Sequence, residues 1–431
     1  MDALSTRKII QSPLWWDDVP RPELPGQKLP ETTDVLIIGS GYTGLSAAIE
    51  TARSGRDTIV LDAEDAGWGC SSRNGGQISP EIKPNFQKLS SKYGEKSALN
   101  ILAEGHFAMA WLEEFIRSED IDCDYHMPGI FVGAHTPSQY EKLTAELSNQ
   151  PKDIKMPGHA VTRAEQHDEI GTDAYFGGVV FDKSASVHPA KLHQGLLEKA
   201  LTASATVIPH CTAIAINRES NGFSVSTSKG VIRAREILVA TNGYTKGVSS
   251  WLQRRVIPIG SYMIATEPLP KLLMDRLLPT NRNLGDTREV VYYYRPSPDR
   301  TRIIFGGRVT GGETDPSISA PLLFRDLISL FPEIAKYTIS HSWMGFVGYT
   351  FDHLAHIGKR EGIHYAMGYC GSGIAMSCYF GTRVAQQLLG KPEGETGFDN
   401  LKFQTRPFYK GNPWFLPATV AYYRWRDRNK M

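Results

Sequence analysis

The sequence has no run approaching the ~18 consecutive apolar residues that a membrane-spanning helix requires. It has no excess charge of either sign: 47 Lys and Arg face 46 Asp and Glu, a formal net charge of +1. A protein that grips phosphate backbones generically needs a basic surface, so nucleic-acid binding of that kind is excluded. Cysteine is scarce and odd in number (Cys70, Cys123, Cys211, Cys370 and Cys378). Five scattered thiols form neither a disulfide framework nor a metal-ligand cluster, so no metal is expected. Residues 1–8 lack the apolar core and small-residue cleavage site of an export signal, and a reducing cytoplasm is the expected location. Internal repeats, heptads and low-complexity tails are also absent. What remains is a globular composition, 41% hydrophobic and 22% charged over 431 residues, with room for two or three domains.

Glycine is what the sequence does have. Its 40 copies gather at 39–44, 67–76, 306–312 and 368–373, where backbone must turn tightly or approach something closely. Residues 34–38 form a nearly continuous apolar run, which predicts a buried parallel strand. A helix is expected from about 41 to 53 and a second strand over 58–62. Helical spacing predicts an amphipathic helix between 96 and 117. Residues 125–134, 254–267 and 288–309 are β-rich. Tyr365-Ala366-Met367 is a short strand that runs through a glycine turn into a helix of small residues.

Gly39-Ser40-Gly41-Tyr42-Thr43-Gly44 completes the G-x-G-x-x-G pattern between a strand and a helix, the setting that gives the pattern meaning. Gly39 allows the turn, Gly41 admits a pyrophosphate, and Gly44 lets the helix pack on the strand. Tyr42 and Thr43 open the helix whose N-terminus faces the phosphates. Asp62, followed by Ala63, closes the second strand, where a carboxylate accepts hydrogen bonds from a ribose and repels a 2′-phosphate. FAD and NAD both suit this unit. The segment Gly67-Trp68-Gly69-Cys70-Ser71-Ser72-Arg73-Asn74-Gly75-Gly76-Gln77 favours FAD, because an NAD enzyme goes directly into its next helix there.

These motifs, with Ser12-Pro13-Leu14-Trp15-Trp16, Ala240-Thr241-Asn242-Gly243-Tyr244, Phe305-Gly306-Gly307-Arg308, Tyr349-Thr350-Phe351-Asp352 and Gly371-Ser372-Gly373-Ile374-Ala375, resemble the D-amino-acid-oxidase-like FAD-dependent oxidoreductases. The branch resembled is that of the gamma-glutamylputrescine oxidases. The resemblance implies an α/β (α+β) architecture, a Rossmann-type FAD-binding domain interleaved with a β-sheet-rich substrate domain. It assigns 1–121, 186–245 and 336–431 to the first, and 122–185 and 246–335 to the second.

By resemblance, Ser71, Ser72, Arg73 and Asn74 follow the pyrophosphate and ribityl chain, and Gly75, Gly76 and Gln77 border the isoalloxazine. Ala213 clamps the adenine, and Ala240-Thr241 lie over the cofactor. Gly371, Ser372, Gly373 and Ile374 present N–H groups to the flavin N1/C2=O edge. No cysteine precedes the Thr-x-Asp segment, so the FAD is expected to be non-covalent. Lysines that relatives use for substrate and for dioxygen are replaced by Ala375 and Ile304. Substrate-pocket candidates are Tyr262, Tyr294, Arg308 and Trp343, with Tyr293, Arg295 and Phe346 behind them. His353 and His356 flank Leu354-Ala355 near the expected flavin. The expected reaction is oxidation of an amine or amino acid to an imine, with dioxygen or another acceptor reoxidising the flavin. An imino or N-methyl amino acid dehydrogenase, an NAD-dependent enzyme and a catalytically silent flavin-binding subunit stand as alternatives.

Overall fold

The computed structural model describes residues 9–429, so the export-signal reading of residues 1–8 lies outside the described residues. Thr32–Ile38 is the central strand of an eight-stranded sheet, paired in parallel with Gly230–Val239 on one side and Thr58–Leu61 on the other. Thr206–Ile208 and Ile363–Met367 extend the parallel set. Val35, Leu36 and Ile37 are wholly buried, as both faces of a central parallel strand must be. Helices Tyr42–Arg53, Glu95–Ser118, Pro189–Thr202 and Gly373–Leu388 cover one face around a large apolar core. Close packing explains the glycine at position 44: a Cβ there would sit 1.8 Å from the Gly39 carbonyl oxygen.

The second eight-stranded sheet runs Ile339–Tyr349, Ile257–Thr266, Ile303–Gly307, Tyr293–Pro296, Asn283–Asp286, Ile130–Gly133, Gly178–Phe181 and Gly158–Val161. Helix Pro316–Leu330 packs on one of its faces through Leu323, Phe324 and Leu327. Its other face meets the first unit through a smaller cluster of Leu14, Trp15, Met263, Ala265, Ile304 and Trp343. The expected return to the first unit at residue 336 is too early, because Ile339–Tyr349 pairs along the whole of Ile257–Thr266 in the second sheet. Its β-branched and aromatic residues give it no signature that separates the two sheets. Among the described residues no helix is long and apolar enough to cross a membrane.

Candidate cofactor and substrate site

The parallel strands of the first sheet end together at Ile38, Leu61, Val239 and Met367, and the loops that follow line one cleft. A crevice beyond the carboxyl ends of parallel strands is where such sheets take ligands. Helix Tyr42–Arg53 starts from Gly41, and helix Gly373–Leu388 starts from Ser372, both without a side-chain cap. A Cβ on Gly381 of the second helix would lie 2.3 Å from the Thr43 carbonyl oxygen, so the two helices are in backbone contact. Each N-terminus is a positive dipole end, with the Tyr42 N–H of the first bonded to the Ser71 hydroxyl, and the pair suits an anionic pyrophosphate and an electron-rich ring edge.

Asp62 follows Thr58–Leu61, the strand beside Thr32–Ile38 on the side away from Ile363–Met367. One of its oxygens accepts from the Ser40 N–H at 2.8 Å and the Ser40 hydroxyl at 2.5 Å, and the other from the Glu64 N–H at 3.1 Å. Burial raises its pKa, while these donors oppose the rise. Ala63 beside it is exposed. The Asp62 carbonyl accepts the Cys211 N–H, which brings Ala213, at the head of strand Ala213–Glu219, to the same end of the cleft. The Ala240 N–H bonds the Ile38 carbonyl, so Ala240 and Thr241 lie over Gly39. Gly371 is exposed and Ser372 and Gly373 half-buried, while Ile374 turns into the core.

In the segment 67–77 the side chains are tied mainly to the protein itself. Ser71 sits over Gly41, with its Oγ accepting the Tyr42 N–H at 3.0 Å. Ser72 is fully buried; its hydroxyl donates to the Gly67 carbonyl and accepts from Trp16. The Arg73 guanidinium lies between the Trp16 and Trp68 rings and bonds the Trp68 and Met344 carbonyls. A guanidinium stacked on two indoles is well satisfied without a phosphate. Asn74 bonds the Cys70 and Ser71 carbonyls and the Gly76 N–H. The Gln77 amide reaches the Tyr294 carbonyl. Side chains of Ser72, Arg73, Asn74 and Gln77 therefore shape the segment, and what faces the cleft is backbone around Gly75.

Strand alternation decides the substrate candidates. Tyr293 faces Gly75, whose Cβ would lie 3.3 Å from its ring and 3.4 Å from the end of Met263. Its neighbour Tyr294 points the other way, into the helix-covered core, with its hydroxyl 3.0 Å from that of Tyr175. Tyr262 is likewise on the core side; its hydroxyl donates to Glu313 and accepts the Thr314 N–H. Arg308 pairs with the same Glu313 and bonds the Gly260 carbonyl. Tyr294, Tyr262 and Arg308 thus leave the shortlist, because each is one position out of phase with the cofactor face or spent on the loop after Gly307. Trp343 is on the cofactor side but buried, and its indole N–H holds the Arg73 carbonyl at 2.8 Å. Arg295 is buried and braces the Gly76 and Val187 carbonyls. The backbone N–H of Phe346 is held by the Tyr244 hydroxyl. His356 pairs with Asp352 and stacks on Phe403, a structural role, whereas His353 lines the cleft's small inner cavity with Ser372.

Lys83 is the residue that pattern reading passed over, and Tyr349, read only as part of a motif, joins it at the cleft. A Cβ on Gly371 would lie 3.8 Å from the Lys83 Cε and 3.6 Å from the Tyr349 hydroxyl. The nearby Glu81 holds the Lys83 ammonium above its ordinary pKa against the desolvation that opposes it. The available signal was an opposite-charge pair in a Pro-bounded loop, Pro80 to Pro84, directly after the glycine segment.

Geometry of this kind defines a class: an oxidoreductase with an FAD-shaped cleft closed by a second, antiparallel-rich sheet. The chain belongs to the FAD-dependent oxidoreductase family known as DAO, whose family model matches residues 34–387. It is 30% identical over 411 residues to the gamma-glutamylputrescine oxidoreductase of Escherichia coli, covering 92% of this chain and 93% of that one. A probable oxidoreductase, OrdL, of Rhizobium meliloti is 30% identical over 413 residues, with 94% of each chain covered. Glycine oxidase from Geobacillus kaustophilus shares the fold with a TM-score of 0.74 at 20% identity, covering 88% of this chain and 99% of that one. The enzyme is therefore an FAD-dependent oxidoreductase, and the cleft residues above fit that cofactor.

Proposed function

We propose that this enzyme oxidises a C–N bond of an amine or amino acid to an imine, which water then hydrolyses, with an amine of the gamma-glutamylputrescine kind as the favoured substrate. The observation that carries the reading is the whole-length similarity to the Escherichia coli gamma-glutamylputrescine oxidoreductase, which takes in the sheet facing the flavin as well as the cofactor cleft. When bound in the cleft, FAD would supply the two-electron redox chemistry for the C–N bond, with dioxygen as the expected final acceptor. The chain's own part is position and electrostatics. The N–H groups of Gly371 and Gly373 and the dipole of the following helix favour negative charge at the flavin edge. Met263 and the Tyr293 ring form an apolar wall opposite Gly75 that desolvates an incoming amine and keeps it neutral.

A second reading, a dehydrogenase that uses a quinone or protein acceptor, is favoured by one residue: Ile304, buried in the cluster with Met263 and Trp343, puts no charge on the cofactor side of the sheet. The purified protein should be yellow and should release FAD on denaturation. Anaerobic addition of gamma-glutamylputrescine, putrescine, pipecolate, sarcosine or D-amino acids should bleach it with one amine class only. Prompt return of colour in air, with peroxide, supports the oxidase; slow return supports the dehydrogenase. Failure of every amine to bleach a flavin-loaded enzyme overturns both.

A further inference from the structure

On the face of the second sheet away from the cofactor lies a cavity of about 470 Å³, between helix Pro316–Leu330, the sheet edge at Val290–Tyr292 and helix Leu416–Asn429. Ligand pockets commonly fall between about 300 and 1,000 Å³, so this one can hold a small molecule. Its sidedness follows from Gly307, where a Cβ would meet Tyr292 and Leu323, whereas the cofactor-facing Tyr293 lies on the opposite face.

The lining is basic: Arg288, Arg308, Arg325, Arg424 and Arg428 against Asp326 and Asp427. Two of the five arginines are already neutralised, Arg288 by Asp286 and Arg308 by Glu313. Asp427 is occupied by the Glu289 and Val290 N–H groups at 2.8 and 3.1 Å, which dock the C-terminal helix on the sheet edge. Arg424 bonds only the Arg308 carbonyl, at 3.1 Å. Arg325 and Arg428 make no hydrogen bond or ion pair among the described residues. Asp326 faces Arg424, Arg288 and Arg325 electrostatically and bonds Tyr292, with burial raising its pKa against these partners. Three guanidinium forks from two different helices therefore converge on one concavity without carboxylate partners within ion-pair distance. Arg forks bind carboxylate and phosphate oxygens in bidentate fashion, and Val290, Val309 and Leu322 give the same concavity an apolar wall.

We propose that this cavity is a second ligand site, separate from the cofactor cleft, that binds a small molecule carrying two or more anionic groups. The test uses the FAD-loaded enzyme, titrated by calorimetry and thermal shift with citrate as the polycarboxylate probe and pyrophosphate as the phosphate probe, at constant ionic strength. Saturable binding of at least one probe is expected, weakened at least tenfold in the Arg325→Ala/Arg428→Ala double variant. Citrate alone binding assigns carboxylates; pyrophosphate alone assigns phosphates. Both residues are exposed and outside the cofactor cleft, so the flavin spectrum and substrate bleaching should be unchanged. An Arg325→Lys/Arg428→Lys variant keeps the charge and removes the forks, and should recover only part of the affinity. Binding of neither probe beyond a sodium chloride control, or equal affinity in the Ala variant, overturns the proposal.

Discussion

The two glycine segments that line the cleft are built in opposite ways. Residues 67–77 are tied by side chains from every direction: Trp15 and Trp343 hold the consecutive carbonyls of Asn74 and Arg73, and Trp16 holds the Ser72 hydroxyl. Residues 368–373 have fewer ties: the Cys370 and Ser372 N–H groups bond the Gly348 and Tyr369 carbonyls, the Asn242 side chain takes the Gly368 N–H, the Cys370 thiol lies against the Gly368 carbonyl, and the Tyr369 hydroxyl meets that of Thr43. The first is a floor whose shape is set before any cofactor arrives. The second has an exposed glycine at Gly371, with Lys83 and Tyr349 beside it. A tightly tied floor and an exposed turn are thus separated between two loops, and substitutions of equal size should have very unequal effects in them.

The largest effect is expected at Gly76, which has a φ of +72° and whose Cβ would lie 2.3 Å from the Val187 carbonyl oxygen. Neither backbone can give way, because the Gly76 carbonyl also takes the Val187 N–H and the Arg295 guanidinium. Gly76→Ala should therefore destabilise the enzyme by more than about 4 kcal/mol and leave no flavin-loaded protein, as judged by absorbance after purification.

The floor should also be sensitive to acid. His193 is wholly desolvated beneath it, with its ring against Gly67 and its Nε2–H donated to the Ser40 carbonyl at 2.8 Å. Burial pushes its pKa down to about 4. An unfolded histidine titrates near 6.5, so the stabilisation from keeping His193 neutral is complete above that pH. It is lost as pH falls from about 6.5 toward 4, on the order of 3 kcal/mol in all. His364, also pushed down to about 4 by burial and by Lys359, adds a second group of the same sign. Urea melts between pH 4 and 7 should show proton uptake on unfolding, and His193→Gln should remove about half of it. An unchanged slope in that variant would show that His193 does not contribute.

Gly371→Ala is the counterpart in the open loop. Its φ is +102°, but the nearest atoms to an added Cβ are 3.6 Å away, at ordinary contact distance. Only backbone strain remains, about 1–2 kcal/mol. The variant should fold, hold FAD and lose about tenfold in flavin affinity by equilibrium dialysis. Collapse like that of Gly76→Ala would abolish the contrast between the segments.

Trp343→Phe tests one tie of the floor. It removes the N–H held by the Arg73 carbonyl and leaves that half-buried acceptor unpaired, at a cost of about 1–2 kcal/mol. Thermal melting of the flavin-loaded variant should fall by a few degrees with bleaching by substrate retained.

Much of this was legible in the sequence, and the rest was illegible for identifiable reasons. The strand–glycine–helix unit at 32–53 and the acid at 62 stood out because each residue type there answers a local geometric demand. For segment 67–77 the sequence showed the glycines and polar residues but not their ties: nothing local told that Arg73 would stack on Trp16, distant in sequence. Tyr293 and Tyr294 could not be told apart, since a one-residue phase in a strand inverts the face and aromatic residues suit both. Lys83 was invisible because its meaning depends on Gly371, brought to it only by the fold.

Lys83 also gives the smallest and most specific way to sharpen the contrast. If the open segment works by electrostatics, removing the one lysine beside it should change how readily the flavin accepts negative charge while leaving the floor intact. Sulfite reports this, because it adds to oxidised flavin as an anion and bleaches its visible band. A single accessible charge acting through partly aqueous surroundings is worth about 0.5–1 kcal/mol, so Lys83→Met should weaken sulfite binding roughly threefold. The effect should shrink as salt rises, and Lys83→Arg should restore most of the affinity. Thermal stability should not move, since Lys83 makes no ion pair within 4.0 Å among the described residues and Glu81 acts on it at longer range. Equal sulfite affinity in the Met variant and the parent at low salt would mean that the helix N-terminus alone sets the charge preference of that edge.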